Sequence, residues 1–279
     1  IPHWKGEHRK SLLIIKEQGV GDEVLFSLFL PTLLDKVEQI TVLGDYRLQP
    51  LFERSFPSIQ FLPYVERKTV IDEARYDAHL YFADAGGYAH QAIGQVKNFL
   101  KSDAAKTAAL REKYQRLFPH KKLIGFSWKS TRQGWQGEGR NIEMAQWESV
   151  LKNPYCQFIS LQYGDVQEEL AYAKEVLGVD VYVDTEIDCK NDLEGLAAQM
   201  SALDLVISAA NTNAHLAAAL GRPTWVTVPC GPGLFWCWGY REQTPFYPEA
   251  RLFRATKSEA WAPVVVALTA ALIEFCQDR

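Results

Sequence analysis

Apolar and polar positions fall along this chain in blocks that repeatedly predict strand, turn and helix. The clearest block covers 203–228. An apolar run at 203–207 meets a polar break at 208–213, an alanine-rich helix at 214–220, a stop at Gly221 with Pro223 behind it, and a second apolar run at 224–228. In such a βαβ unit the break lies at the carboxyl end of the first strand and the amino end of the helix. Parallel α/β sheets bind ligands there, and the backbone N–H groups of the helix start favour an anion. Asn211, Thr212 and Asn213 can cap that helix, and His215 falls in its first turn. An ordinary capped connector shows the same pattern, so the segment alone leaves a phosphate site and a structural turn both open.

The start of the chain repeats this grammar. An apolar run at 11–16 leads into Gly19-Val20-Gly21-Asp22 and then into a helical pattern over 23–34. Gly19 and Gly21 let backbone approach a ligand closely. The dinucleotide fingerprint is incomplete, because its third glycine is missing and the next strand, at 39–43, ends on no acidic residue. A plain Rossmann dehydrogenase is therefore disfavoured. Asp22 has two readings: a helix N-cap, or a general base at the mouth of a cleft that takes a proton from an acceptor hydroxyl. Strands at 59–62 and 78–82 continue the alternation, and His90, in a glycine-bearing break after the second, reads either as a contact to an acceptor or, more blandly, as a surface loop residue. A charged helix at 101–118 ends at Pro119, and the apolar pattern restarts at 123–128, which predicts a domain boundary there.

From that strand the chain enters the loop 129–141, with three glycines, three basic residues and two hydroxyls. It reads either as a solvated surface loop or as a diphosphate site in which Lys129, Arg132 or Arg140 supplies the positive charge. A helix at 144–151, a strand at 157–162, a helix at 166–177, a strand at 179–183 and a helix at 192–200 complete a β/α series. Its loops at Lys129, Tyr163, Asp184 and Ser208 are expected on one edge. The period is lost over 229–248, which holds three glycines, four prolines and six aromatic residues. Phe235, Trp236 and Trp238 there can stack on a base or plug a core. A strand at 251–254 and an apolar helix at 259–275, with Pro263 in its first turns, close the chain.

Composition narrows the function classes. A length of 279 residues suits two modest domains with real cores. With 34 acidic and 30 basic residues the net charge is −4, so charge suggests neither a nucleic acid nor an anionic membrane as partner. No apolar run approaches the roughly 20 residues of a spanning helix, and no signal-peptide pattern opens the chain. Cys156, Cys189, Cys230, Cys237 and Cys276 have neither zinc nor disulfide-framework spacing, which fits a reducing cytoplasm. The chain starts at Ile1 with no initiator methionine, so a preceding segment is expected.

Taken together, WKGE at the start, EQGVGD around Gly19 to Asp22, GFSW ending at Trp128, SLQYGD ending at Asp165, LDLVIS ending at Ser208, AHLAAALGRPTW ending at Trp225 and FYPEARLFR ending at Arg254 resemble one family. It is the glycosyltransferase-like domain that follows tetratricopeptide repeats in many bacterial proteins. That domain is related to the ADP-heptose:lipopolysaccharide heptosyltransferases and, more distantly, to the protein O-linked N-acetylglucosamine transferases. The resemblance implies an α/β GT-B fold, two Rossmann-like domains facing across a cleft. Residues 1–119 would form the acceptor side, 120–257 the nucleotide-sugar side, and 258–279 a helix packing back on the N-terminal domain. It further implies upstream tetratricopeptide repeats, and an acceptor that is a protein or a glycan.

By the same resemblance, Gly19, Gly21 and Asp22 match the glycine turn and base of the heptosyltransferases. Arg140 stands where a basic residue meets the diphosphate, with Lys129 and Arg132 secondary. Gln162 and Tyr163 end a strand facing the nucleoside, and Trp225, Trp236 and Tyr247 form its aromatic surroundings. The turn that commonly reads Asp-Thr reads Asn211-Thr212 here, with Asn213 after it and His215 in place. The expected reaction is sugar transfer from a nucleotide diphosphate sugar to a hydroxyl, with no metal and no further cofactor. A GT-B module that binds without transfer, and a nucleotide-sugar epimerase, are the alternatives.

Overall fold

The structure, a computed structural model, describes residues 1–130, 139–239, 241–258 and 260–277. In the first half, β1 (Arg9–Ile15) is followed by α1 (Val20–Phe26), α2 (Leu30–Leu33), β2 (Val37–Asp45), α3 (Gln49–Ser55), β3 (Ile59–Tyr64), β4 (Ala78–Tyr81), α4 (Ala85–Ala89) and α5 (Ala104–Leu117). Its four strands form a parallel sheet in the order β3-β2-β1-β4. The second half runs β5 (Lys122–Ser127), α6 (Glu148–Leu151), β6 (Cys156–Ser160), α7 (Gln167–Glu175), α8 (Leu193–Ser201), β7 (Leu205–Ala209), α9 (Thr212–Ala219), β8 (Thr224–Val228), β9 (Arg251–Arg254) and α10 (Ala262–Gln277). These strands make a second parallel sheet, β6-β5-β7-β8-β9. Two parallel sheets clothed by helices are the α/β architecture that the alternating pattern predicts.

Strand parity decides where the cores sit. Every residue of β7 and β8 is buried, as a strand covered on both faces requires. Val206 and Val226 point into an apolar cluster that runs through α8 and α9 to the first sheet, while Leu205, Ile207 and Trp225 point into a second cluster on the opposite face. That opposite face is covered by α6 and α10, whose Val264, Leu268 and Leu272 are buried there. The closing helix therefore packs on the second sheet, not back on the first half as expected. Its apolar stripe is what keeps Ile124, Phe126 and Trp225 from water.

Local departures from the sequence pattern have physical causes. The helix expected over 23–34 begins at Val20, because the extended Gly19 caps it, and a 3₁₀ turn at Ser27–Phe29 breaks it just before Pro31. The stretch 179–183 makes only a single bridge, Ile159 to Tyr182. β2 runs on to an acidic residue after all, Asp45, but that carboxylate is taken by Arg47, with nitrogen–oxygen distances of 2.8 Å to both oxygens. No described helix is long and apolar enough to cross a membrane.

Candidate functional site

The register of the second sheet sets Ser127 beside Ser208, so the loops leaving β5 and β7 start side by side. Ser127 is fully buried and uses its whole hydrogen-bonding capacity there. Its hydroxyl donates to Gln162 Oε1 at 3.1 Å and accepts from Asn211 Nδ2 at 3.0 Å and Asn213 Nδ2 at 3.1 Å. Asn211 caps α9: its Oδ1 accepts from the Asn213 N–H at 2.9 Å and from Ser208 Oγ at 3.0 Å, and its Nδ2 also donates to the Lys129 carbonyl at 3.1 Å. Asn213 donates to the Leu161 carbonyl at 2.7 Å. Gln162 closes the set, accepting from the Lys129 N–H and donating to the Lys129 and Tyr163 carbonyls. These four side chains tie together the ends of β5, β6 and β7. Sequence reasoning missed Ser127, since an isolated serine at a strand end carries no signal.

Opposite this knot stands the start of α1. Gly19 is the cap and Asp22 the third residue of the helix; Asp22 Oδ2 accepts from the Gly19 N–H at 3.2 Å. Asp22 is thus not the N-cap itself, although its carboxylate satisfies the cap's donor. The first turns of α1 and α9 approach so closely that a Cβ on Gly21 would lie 3.1 Å from Thr212 Oγ1 and 3.4 Å from His215 Cδ2. Both helices direct their positive ends to one place.

Between them is a cavity of about 280 Å³. Gly19, Gly21 and Asp22 line it from α1; Arg140, Tyr163, Asn211, Thr212 and His215 line it from the second sheet's edge. Ser130, Ala210 and Phe235 complete the wall. His215 Nδ1 lies 3.0 Å from the Tyr247 hydroxyl, and its ring lies 4.8 Å from that of Trp238. Burial pulls the imidazole down to about 3, so it is neutral, and burial likewise raises the Tyr247 phenol well above its ordinary value. Tyr247 and Trp238 support His215 from within the core and do not line the cavity.

The remaining expected site residues go elsewhere. Lys129 turns to an ion pair with Glu169 and to the Asp165 carbonyl. Gln162 and Asn213 are spent in the strand-end knot. Trp225 sits on the far face of the second sheet, 5.3 Å from Phe253 and 5.9 Å from Phe275, with the Arg251 guanidinium 5.5 Å from its ring. Trp236 is 55% exposed and lines a neighbouring cavity. The three residues grouped as an aromatic pocket therefore occupy three different surroundings. Arg132 lies outside the described residues. Among the described residues, no group of three or more His, Cys, Asp or Glu side chains is placed to hold a metal ion.

The cavity thus joins a carboxylate on one wall to a buried guanidinium, a hydroxyl and a helix amino terminus on the other. Such a set can hold an anion on one side and accept a proton on the other. No family model matches the chain. It is 32% identical over 293 aligned residues to protein FlbA of Caulobacter vibrioides, covering 98% of this chain and 48% of that protein, so it spans about half the length of that relative. Among solved structures, a glycosyl transferase family 9 protein from Veillonella parvula is similar over 98% of this chain and 97% of its own, with a TM-score of 0.66 and 16% identity. The E. coli heptosyltransferase WaaC, solved with ADP, is similar over 95% and 99%, with a TM-score of 0.57 and 15% identity. The chain has the GT-B fold of these glycosyltransferases.

Proposed function

We propose that this chain transfers a sugar from a nucleotide diphosphate donor to a hydroxyl acceptor. The observation that carries the reading is the cavity in which Asp22 on α1 faces Arg140, Thr212 and the start of α9. In the transfer the anomeric carbon becomes electron-poor while negative charge grows on the departing diphosphate. The α9 amino terminus and the Arg140 guanidinium stabilise that charge, and they do so without reorganising because both are held by buried structure. The solved heptosyltransferase with ADP has a nucleoside diphosphate in this fold, which supports the same class of donor here. Asp22 accepts the acceptor's proton from the opposite wall. His215, neutral and packed on Trp238, shapes the donor side without adding charge.

Calorimetry with ADP-, GDP-, UDP- and CMP-linked sugars tests donor binding, and mass spectrometry of the product tests transfer. In the Asp22→Asn variant turnover is expected to fall by about a hundredfold or more while donor affinity stays within about threefold. Undiminished turnover would remove Asp22 from the mechanism, and no binding of any of the four donors would sink the transferase reading.

A further inference from the structure

Two thiols meet at the end of the second sheet that lies away from the cavity. Cys156 opens β6 and Cys276 stands in the last turn of α10, and their sulfurs are 3.3 Å apart. Cys156 pairs in register with Lys122, the first residue of β5, so both sulfurs sit at the amino ends of the strands, whereas the loops that line the cavity leave the carboxyl ends. β6 is the outermost strand on its side of the sheet, with β5 as its neighbour. Cys156 is buried in the core beneath α10, together with Val264, Leu268 and Leu272, and Cys276 is half-buried at the margin of that core. The two positions are 120 residues apart in the chain. Their spacing carries no sign of a pair, and only the packing of α10 on the second sheet brings them together.

Sulfurs this close need to move by only about 1.3 Å to reach bonding distance, which a small change of side-chain torsion supplies. We propose that Cys156 and Cys276 form a reversible oxidation site, closed by exchange with a low-molecular-weight disulfide such as oxidised glutathione, and that closure staples α10 to β6. Burial, and after it the contact with Cys276, raises the Cys156 thiol against the opposing pull of Lys121. The more accessible Cys276 therefore reacts first. It loses its proton and attacks one sulfur of the glutathione disulfide; that S–S bond breaks, and its electron pair leaves on a glutathione thiolate, which takes up the proton. Cys156 then loses its proton and attacks the Cys276 sulfur, expelling the second glutathione as a thiolate that is protonated in turn. The protein's two thiols are oxidised by two electrons, and one glutathione disulfide is reduced to two glutathiones. In a reducing compartment the pair rests as thiols. Once made, the bond closes a loop that runs from β6 through β7, β8 and β9 to α10, which removes freedom from the unfolded chain. It also pins the end of the helix whose Val264, Leu268 and Leu272 cover the second sheet, without entering the cavity.

The test incubates the full chain with oxidised glutathione, maps the product by proteolysis and mass spectrometry, and follows thermal unfolding before and after. The parent is expected to yield a peptide cross-linked between Cys156 and Cys276, with no glutathione retained there. Its unfolding midpoint is expected to rise by about 5–10 °C and to return when dithiothreitol reduces the bond. Cys156→Ser removes the resolving thiol and should keep one glutathione on Cys276, while Cys276→Ser should form no cross-link and show no rise. Should Cys156→Ser fail to fold, the parent and Cys276→Ser, altered at a half-buried position, decide the matter alone. Thiols that stay reduced, a glutathione that remains on Cys276 of the parent, a cross-link to Cys189, Cys230 or Cys237 instead, or a midpoint unmoved by oxidation overturns the proposal.

Discussion

Asn211 shows how much one amide does at a strand end. Its oxygen accepts from a backbone N–H and a hydroxyl while its nitrogen donates to Ser127 and to the Lys129 carbonyl. An aspartate, which the resembling family commonly has here, would lose both donated bonds and set a negative charge against a carbonyl oxygen. Asn211→Asp is therefore expected to lower stability by about 1–3 kcal/mol in urea denaturation. An equal or higher stability would show that the knot rearranges around a carboxylate. His215 makes a second prediction. Burial holds its folded-state value at about 3, below the ordinary 6.5 of a histidine, so protons bind the unfolded chain preferentially and stability falls as pH drops from about 6.5 toward 3. Replacing it as His215→Phe should flatten that acid limb of the denaturation midpoint. A limb of unchanged slope would mean the imidazole titrates normally when folded.

At the scale of elements, the site depends on two helix amino termini meeting. Gly21 permits this, since any Cβ there would crowd Thr212 and His215. Helix propensity alone would make alanine at this position more favourable by about 1 kcal/mol, whereas overpacking costs about 1–3 kcal/mol. Crowding should win. Gly21→Ala is expected to weaken donor binding severalfold and to lower stability slightly; a variant that is more stable and binds donor normally would show that α1 has slack. The strands were legible in the sequence because their apolar runs are continuous, as in β7 and β8. The interrupted α1 to α2 segment was less so, because a 3₁₀ turn ahead of Pro31 keeps the same apolar spacing as an unbroken helix.

For the whole molecule, contacts between the two halves of the chain determine whether the cleft stays assembled. Arg54 of α3 forms an ion pair with Glu194 of α8 at 2.5 Å, and Arg47 donates to the Lys190 carbonyl at 2.8 Å. The most buried of these contacts is at Asp184, which accepts from the Tyr114 hydroxyl at 2.6 Å and from Lys113 at 2.9 Å, both on α5. Asp184→Ala leaves the buried Tyr114 hydroxyl without its acceptor while Lys113 keeps its pairing with Glu186, so a loss of about 1–3 kcal/mol in folding free energy is expected, with Asp184→Asn losing less because one acceptor oxygen remains. Equal stability of the alanine variant and the parent would show that these bonds do not couple the halves.

By itself the sequence determined the alternation of strands and helices, the parallel α/β class and the edge at which a ligand would sit. Those follow from local periodicity, glycine and proline, which act within a few residues. It also named Gly19, Gly21, Asp22, Arg140, Tyr163, Asn211, Thr212 and His215, which the structure gathers around one cavity. Only the tertiary structure decided which polar groups face that cavity and which are consumed in holding it. Ser127 ends β5, Gln162 follows β6, and Asn211 and Asn213 stand at the start of α9 just after β7, and they satisfy one another only when β5, β6 and β7 converge. Trp225 makes the same point: alternation says that a strand has two faces, but only packing against α10 says which face Trp225 is on.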